Sequence, residues 1–138
     1  MKLNIKNIGA YLKSHGIKPS YQRLQIFEYL LRYRNHPTVD MIYKSLSPAI
    51  PTLSKTTVYN TLKLFVEKKI ALVIVIEENE TRYDADTSIH GHFKCEKCSS
   101  MTDLAVDTSQ LKLPDLNGFQ INEHHFYFKG LCKKCLTM

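Results

Sequence analysis

Apolar residues in the first half of the chain recur at three- and four-residue spacing, the signature of amphipathic helices. The first helix is expected over roughly residues 4–14 and stops at Gly16, a residue suited to the left-handed turn after a helix. A second starts after Pro19-Ser20 and runs to about Arg34, with Leu24, Phe27 and Leu31 at helical spacing. Pro37-Thr38 opens a short third helix carrying Val39, Ile42, Tyr43 and Leu46, with Thr38 as its N-cap. Pro48 and Pro51 then mark a loop. A fourth helix begins near Ser54, another N-cap, and reaches about Lys68; Val58, Leu62 and Phe65 form its buried stripe. The pattern then changes to β-rich runs, ALVIVIE (71–77) and TRYDA (81–85), separated by Glu78-Asn79-Glu80. That is a hairpin. Three helices, a solvent-facing fourth and a hairpin make a winged helix-turn-helix.

The second half has shorter periods. β-like runs occur at His92–Cys95, Met101–Val106 and Phe119–Lys129, with a helix expected around Ser109–Leu116. No internal repeat or low-complexity tract interrupts it. The fold class is α/β in the α+β sense. It divides into a winged-helix domain (1–83), a hinge (84–91) and a small α/β domain (92–138).

Composition narrows the function. A chain of 138 residues with 43% hydrophobic and 23% charged residues is that of a globular protein, which argues against wholesale disorder. No apolar run approaches the roughly 20 residues of a membrane helix. The opening MKLNIKNIGAYLKSHG lacks the continuous apolar stretch of a signal peptide, so a cytoplasmic protein with reduced thiols is expected. Residues 1–82 hold 13 Lys and Arg against 6 Asp and Glu, giving +7; residues 83–138 hold 6 against 7, giving −1. A basic front half suits a phosphate-rich partner.

The fourth helix supplies the groups for reading double-stranded DNA. Opposite its apolar stripe lie Thr56, Tyr59, Asn60 and Lys63. Asn60 can pair with a base edge and Tyr59 can meet a thymine methyl and a phosphate. Lys55, Lys63 and Arg23 are placed for phosphates, which supply affinity and little sequence information. An ordinary amphipathic helix facing only water has the same periodicity. The hairpin and the charge asymmetry favour DNA.

All four cysteines fall into two pairs, Cys95-x2-Cys98 and Cys132-x2-Cys135. Each such turn aims two sulfurs at one point, so four thiolates can close a tetrahedral structural zinc site. Cytosolic redox disulfides and free thiols are the competing readings. The stretch RYDADTSIHGHFKC also holds Asp84, His90 and His92, with Asp103 following and His36 just before the third helix. His90 and His92 lie two apart on a strand and point the same way. Imidazoles and carboxylates without thiolate suit iron, manganese or zinc; singly, each is also an ordinary polar residue. His124 and His125 face opposite sides of an expected strand, and His15 sits favourably at a helix C-terminus.

Taken in order, PSYQR, HPTVDMIY, SKTTVYNTL, RYDADTSIHGHFKCEKC and the terminal CKKC resemble the ferric uptake regulator superfamily over essentially the whole chain. Within it the chain is most similar to the peroxide-stress regulators. The resemblance implies a homodimer of winged helices joined by C-terminal domains, repressing at palindromic operator DNA. It implies structural zinc on Cys95, Cys98, Cys132 and Cys135, and regulatory Fe2+ or Mn2+ on His36, Asp84, His90, His92 and Asp103. Asp103, where iron-sensing relatives commonly carry Glu, and Asn60, where they usually carry Arg, are peroxide-type features. Peroxide sensing would then proceed by iron-dependent oxidation of a ligand histidine, His36 or His90. An additional metal site of many relatives is degraded, with Ile89 and Gly91 in place of a His and an Asp. An iron- or manganese-responsive repressor without oxidation is the alternative within the family. A zinc-stabilised enzyme is the alternative outside it, although no paired nucleophile and base or phosphate-cradling Gly loop supports catalysis.

Overall fold

The computed structural model describes residues 7–33, 36–77, 80–87, 90–122 and 124–137. The chain forms two compact units, Met1–Thr87 and Ser88–Met138.

The first unit contains α1 (Ile8–Ser14), α2 (Tyr21–Arg32), α3 (Val39–Leu46) and α4 (Lys55–Glu67), then β1 (Leu72–Glu77) and β2 (Glu80–Asp84). Local chemistry fixes the helix starts. Ser20, Thr38 and Ser54 each accept a bond from the backbone N–H three residues on, at 3.3, 3.2 and 3.0 Å. Gly16 takes φ +75°, the left-handed turn that its missing Cβ makes inexpensive. On α4 the stripe Val58, Leu62 and Phe65 is fully buried. It packs into a core with Leu12, Ile26, Phe27, Leu30 and Ile42, where Phe27 and Phe65 meet edge to face at 5.3 Å. β1 and β2 pair antiparallel from Leu72↔Asp84 to Glu77↔Glu80, with a bulge between Ile74 and Glu77. This is the expected wing. The expected start of α1 and the turn residues 78–79 lie outside the described residues.

The second unit is a three-stranded sheet in the order β4-β3-β5, built from β3 (His90–Cys95), β4 (Met101–Ala105) and β5 (Phe126–Gly130). β3 is central, antiparallel to β4 and parallel to β5. A four-residue helix, α5 (Lys133–Leu136), closes the second cysteine pair. Asp84 closes β2, while His90 and Gly91 open β3, so both ends of the segment read as a hinge belong to strands. The expected helix around Ser109–Leu116 is replaced by two 3-10 turns, Thr108–Gln110 and Pro114–Leu116. Pro114 has no N–H and disfavours a helical residue before it, and Leu113 accordingly sits at φ −121°, ψ 76°. The long strand expected over Phe119–Lys129 shortens to β5, because β3 offers ladder partners only to Phe126–Gly130.

Gly91 is explained by space. A Cβ there would stand 3.1 Å from Val106 Cγ2 and 3.3 Å from Phe126 Cβ, which occupy the place of any side chain between His90 and His92. Among the described residues no helix is long and apolar enough to cross a membrane.

The core makes one test available. Phe65→Ala removes a fully buried ring and should cost about 3–5 kcal/mol. Urea titration of the Phe65→Ala protein should show a correspondingly lower midpoint for the helical transition.

Candidate functional site

A sulfur cluster, a His/Asp pair in each unit and one polar helix face stand out. Cys95 ends β3, Cys98 follows on a turn, Cys132 caps α5 and Cys135 lies within it. The four Sγ atoms all lie within 4.8 Å of one another, and none is in a disulfide. Cys98 Sγ and Cys132 Sγ are 3.8 Å apart. Tetrahedral zinc with bonds of about 2.3 Å places its sulfurs about 3.8 Å apart, so the spacing fits that ion. Backbone N–H groups of Cys98 and Cys132 point at Cys95 Sγ from 3.4 and 3.5 Å. Those N–H groups hold the Cys95 thiol down to about 5. Cys98 is also lowered, chiefly by the Ser100 hydroxyl at 3.0 Å. Cys135 is pushed up to about 12 by burial. Such a cluster favours a thiolate at one end and suppresses it at the other, and a bound dication is what would let all four ionise together.

Nitrogen and oxygen donors also pair within each unit. In the first unit, Tyr83 N–H donates to Pro37 O at 3.0 Å, so the segment before α3 lies against β2. His36 Nε2 then stands 3.5 Å from Asp84 Oδ2, with both side chains buried. Asp84 Oδ1 accepts the Asp86 N–H at 2.9 Å, which fixes the carboxylate plane. In the second unit, His92 and Asp103 face each other across the β3–β4 ladder, with His92 Nε2 at 3.5 Å from Asp103 Oδ1. Two donors sharing an ion at about 2.1 Å bond length stand roughly 3–3.5 Å apart, so each pair suits a shared cation. Donors of imidazole and carboxylate without sulfur suit iron, manganese or zinc. His90 lies in β3, but its side chain and Ile89 fall outside the described residues. His124 and His125 precede β5 and lie beside Phe126 and Tyr127, each at 6.1 Å between ring centroids.

On α4, Thr56, Tyr59, Asn60 and Lys63 are all exposed, on the side away from the buried stripe. Asn60 and Lys63 line one groove with Lys18, Gln22 and Arg23 of the α2 entry. Arg23 is partly engaged there, donating from Nη1 to the Lys18 carbonyl at 2.8 Å. Lys55 differs from the sequence expectation of a cation open to phosphate. Its Nζ bonds Asp40 Oδ1 at 2.7 Å, and Lys44 bonds the other oxygen at 2.9 Å. These bonds hold Asp40 below the usual carboxylate range and raise Lys55.

Sequence reasoning missed Asp40, the Ser100 hydroxyl and Arg82, whose Nη1 donates to the His36 carbonyl at 3.0 Å. Asp40 and Ser100 carried no motif signal. Arg82 did carry one, since it lies two residues before Asp84 on the same side of β2.

Comparison with known proteins identifies the family. The ferric uptake regulator family model matches residues 14–129. The peroxide-responsive repressor PerR of Staphylococcus epidermidis is 33% identical over 129 residues, covering 91% of this chain and 86% of that protein. The peroxide operon regulator of Bacillus subtilis is 34% identical over 127 residues, 90% of this chain and 88% of its own. The crystal structure of the Vibrio cholerae ferric uptake regulator superposes with a TM-score of 0.76 at 24% identity, over 91% of this chain and all of that one, which shows the fold. With four sulfurs gathered in one unit, a His/Asp pair in each and a winged helix in front, the chain belongs to the ferric uptake regulator family.

Proposed function

We propose that the chain is a cytoplasmic, homodimeric, metal-dependent repressor that binds palindromic operator DNA and is relieved by peroxide. The observation that carries this reading is that each folding unit holds its own imidazole–carboxylate pair. His36 and Asp84 belong to the unit bearing α4, and His92 and Asp103 to the other. His90 completes the set by resemblance. An ion held by residues of both units would tie the reading helix to the dimerisation domain. In a dimer that tie would fix the spacing of two reading helices for half-sites about 34 Å apart.

Cys95, Cys98, Cys132 and Cys135 would hold the structural zinc. His36, Asp84, His90, His92 and Asp103 would hold Fe2+ or Mn2+, and bound iron supplies one-electron chemistry toward peroxide. The protein's part would be to fix His36 and Asp84 on one unit and His92 and Asp103 on the other, with the imidazoles as the oxidisable groups nearest that chemistry. The relatives' peroxide-responsive names support this reading, as do Asp103 and Asn60. Reading the operator falls to Tyr59, Asn60 and Thr56, with Lys63, Arg23 and Lys55 on phosphates. Lys55 must first exchange Asp40 for phosphate. An exposed ion pair is weak against water and salt, so the exchange is easy.

Purified protein should retain about one zinc per chain. Cys95→Ser or Cys135→Ser should lose both the zinc and the dimer, measured by metal analysis and sedimentation. A stable zinc-free dimer would contradict the assignment.

Asn60→Ala should lower discrimination between operator and random duplex by about 1–3 kcal/mol. Lys63→Ala should weaken all duplexes alike and reduce the slope of log K against log salt by about 0.9. Unchanged preference in Asn60→Ala would remove Asn60 from the reading face.

The test of the whole proposal compares metals. Iron-loaded protein should lose operator binding in dilute peroxide and gain one oxygen on a peptide containing His36 or His90, by mass spectrometry. Manganese-loaded protein should keep binding. Equal responses of the two forms, or change confined to the cysteines, would leave a repressor that responds to iron or manganese alone.

A further inference from the structure

Arg82 sits on the wing strand β2, yet its Nη1 reaches the main-chain carbonyl of His36, 46 residues earlier, at 3.0 Å. One position on, Tyr83 N–H donates to Pro37 O at 3.0 Å. Two successive residues of β2 therefore grip two successive carbonyls before α3. The first of them belongs to a strained residue. His36 has φ +54°, in the left-handed region, which a non-glycine residue keeps only when its surroundings hold it there. That conformation places Nε2 at 3.5 Å from Asp84 Oδ2. Arg82 and Asp84 share a side of β2, so one takes the backbone of His36 and the other faces its ring. A guanidinium does not deprotonate in proteins, so the grip persists across the working pH range.

We propose that Arg82 is a positioning residue for the regulatory metal. By fixing the His36 main chain it orients the imidazole toward Asp84 before an ion arrives, and thereby sets the affinity of the site. The inference rests on the assignment of His36 and Asp84 as metal ligands. The bond to a backbone carbonyl makes it specific, because a side chain that only adds charge near the site would need no particular acceptor.

The test is a double-mutant cycle on the full-length, zinc-loaded protein, with Mn2+ as the probe and free Mn2+ read by electron paramagnetic resonance. Arg82→Met should weaken Mn2+ binding by about 10- to 100-fold, the range for partners that orient a ligand histidine. Zinc content and thermal midpoint should stay close to the parent. Arg82→Lys, which keeps a donor, should recover part of the loss and serves as the second variant if Arg82→Met folds poorly. In a His36→Ala background, Arg82→Met should change the affinity by less than about twofold, because its effect runs through His36. An equal loss in both backgrounds would make Arg82 a general electrostatic or structural residue and overturn the proposal. So would unchanged Mn2+ binding in Arg82→Met alongside a clear loss in His36→Ala, with the ligand assignment intact. Unchanged binding in His36→Ala would overturn the ligand assignment itself, and this inference with it.

Discussion

Among the described residues after Thr87, the buried ones are Gly91, His92, Lys94, Cys95 and Cys135. Many large apolar side chains of the same unit, including Leu113, Phe119, Ile121, Phe128 and Leu136, are exposed. Burial of apolar area is the main favourable term in folding, and this unit has little of it within one chain. The constraint on which the structure depends is therefore the convergence of four sulfurs. It joins the end of β3 to α5, and through β3 it sets where His92 and Asp103 stand. The exposed apolar surface is the counterpart of that economy, and in the proposed homodimer a second copy of the chain would be available to cover it.

The first unit is built the other way. Its core of Leu12, Phe27, Leu62, Phe65 and their neighbours is fully apolar and fixes α4 against α2 and α3. Polar precision is confined to its edge, where β2 meets the segment before α3. There the Asp86 N–H, the Asp84 carboxylate, the His36 ring and the Arg82 guanidinium are set by backbone bonds and a left-handed φ. A rigid body with one ordered polar edge suits a domain that is proposed to be held from a metal site.

The helices, the wing and the thiolate cluster were legible because each follows a local rule: caps at Ser20, Thr38 and Ser54, a stripe at Val58, Leu62 and Phe65, paired Cys-x2-Cys turns. The spacing of His90 and His92 and the choice of Asp103 were also visible, although only the family pattern joined them to His36 and Asp84. What sequence could not show depends on long-range partners. The shortening of the strand toward Phe126 follows from the length of β3. The loss of the helix at 109–116 is the exception, since it follows from Pro114, which the sequence displays. The Asp40 pairing of Lys55 joins two helices, and Arg82 reaches back across the unit to a backbone carbonyl. No periodicity encodes such bonds.

The distribution of donors bears on how binding becomes regulation. The first unit offers one imidazole and one carboxylate, and the second offers another such pair besides His90. Hard divalent ions favour more oxygen and nitrogen donors than a single pair provides, so either unit alone is a poor site. Under the proposed function affinity would come from donors of both units, and the difference between joint and separate binding is what an ion could exert on domain orientation. A ligand shifts an equilibrium only by its differential affinity for the two states; moving 1:99 to 99:1 takes about 5.5 kcal/mol. On this reading the response to damage is equally direct. His36 is half of the first unit's described pair, so damage to that one imidazole would leave the unit bearing α4 with Asp84 as its remaining described donor, while the four sulfurs and the apolar core would be untouched.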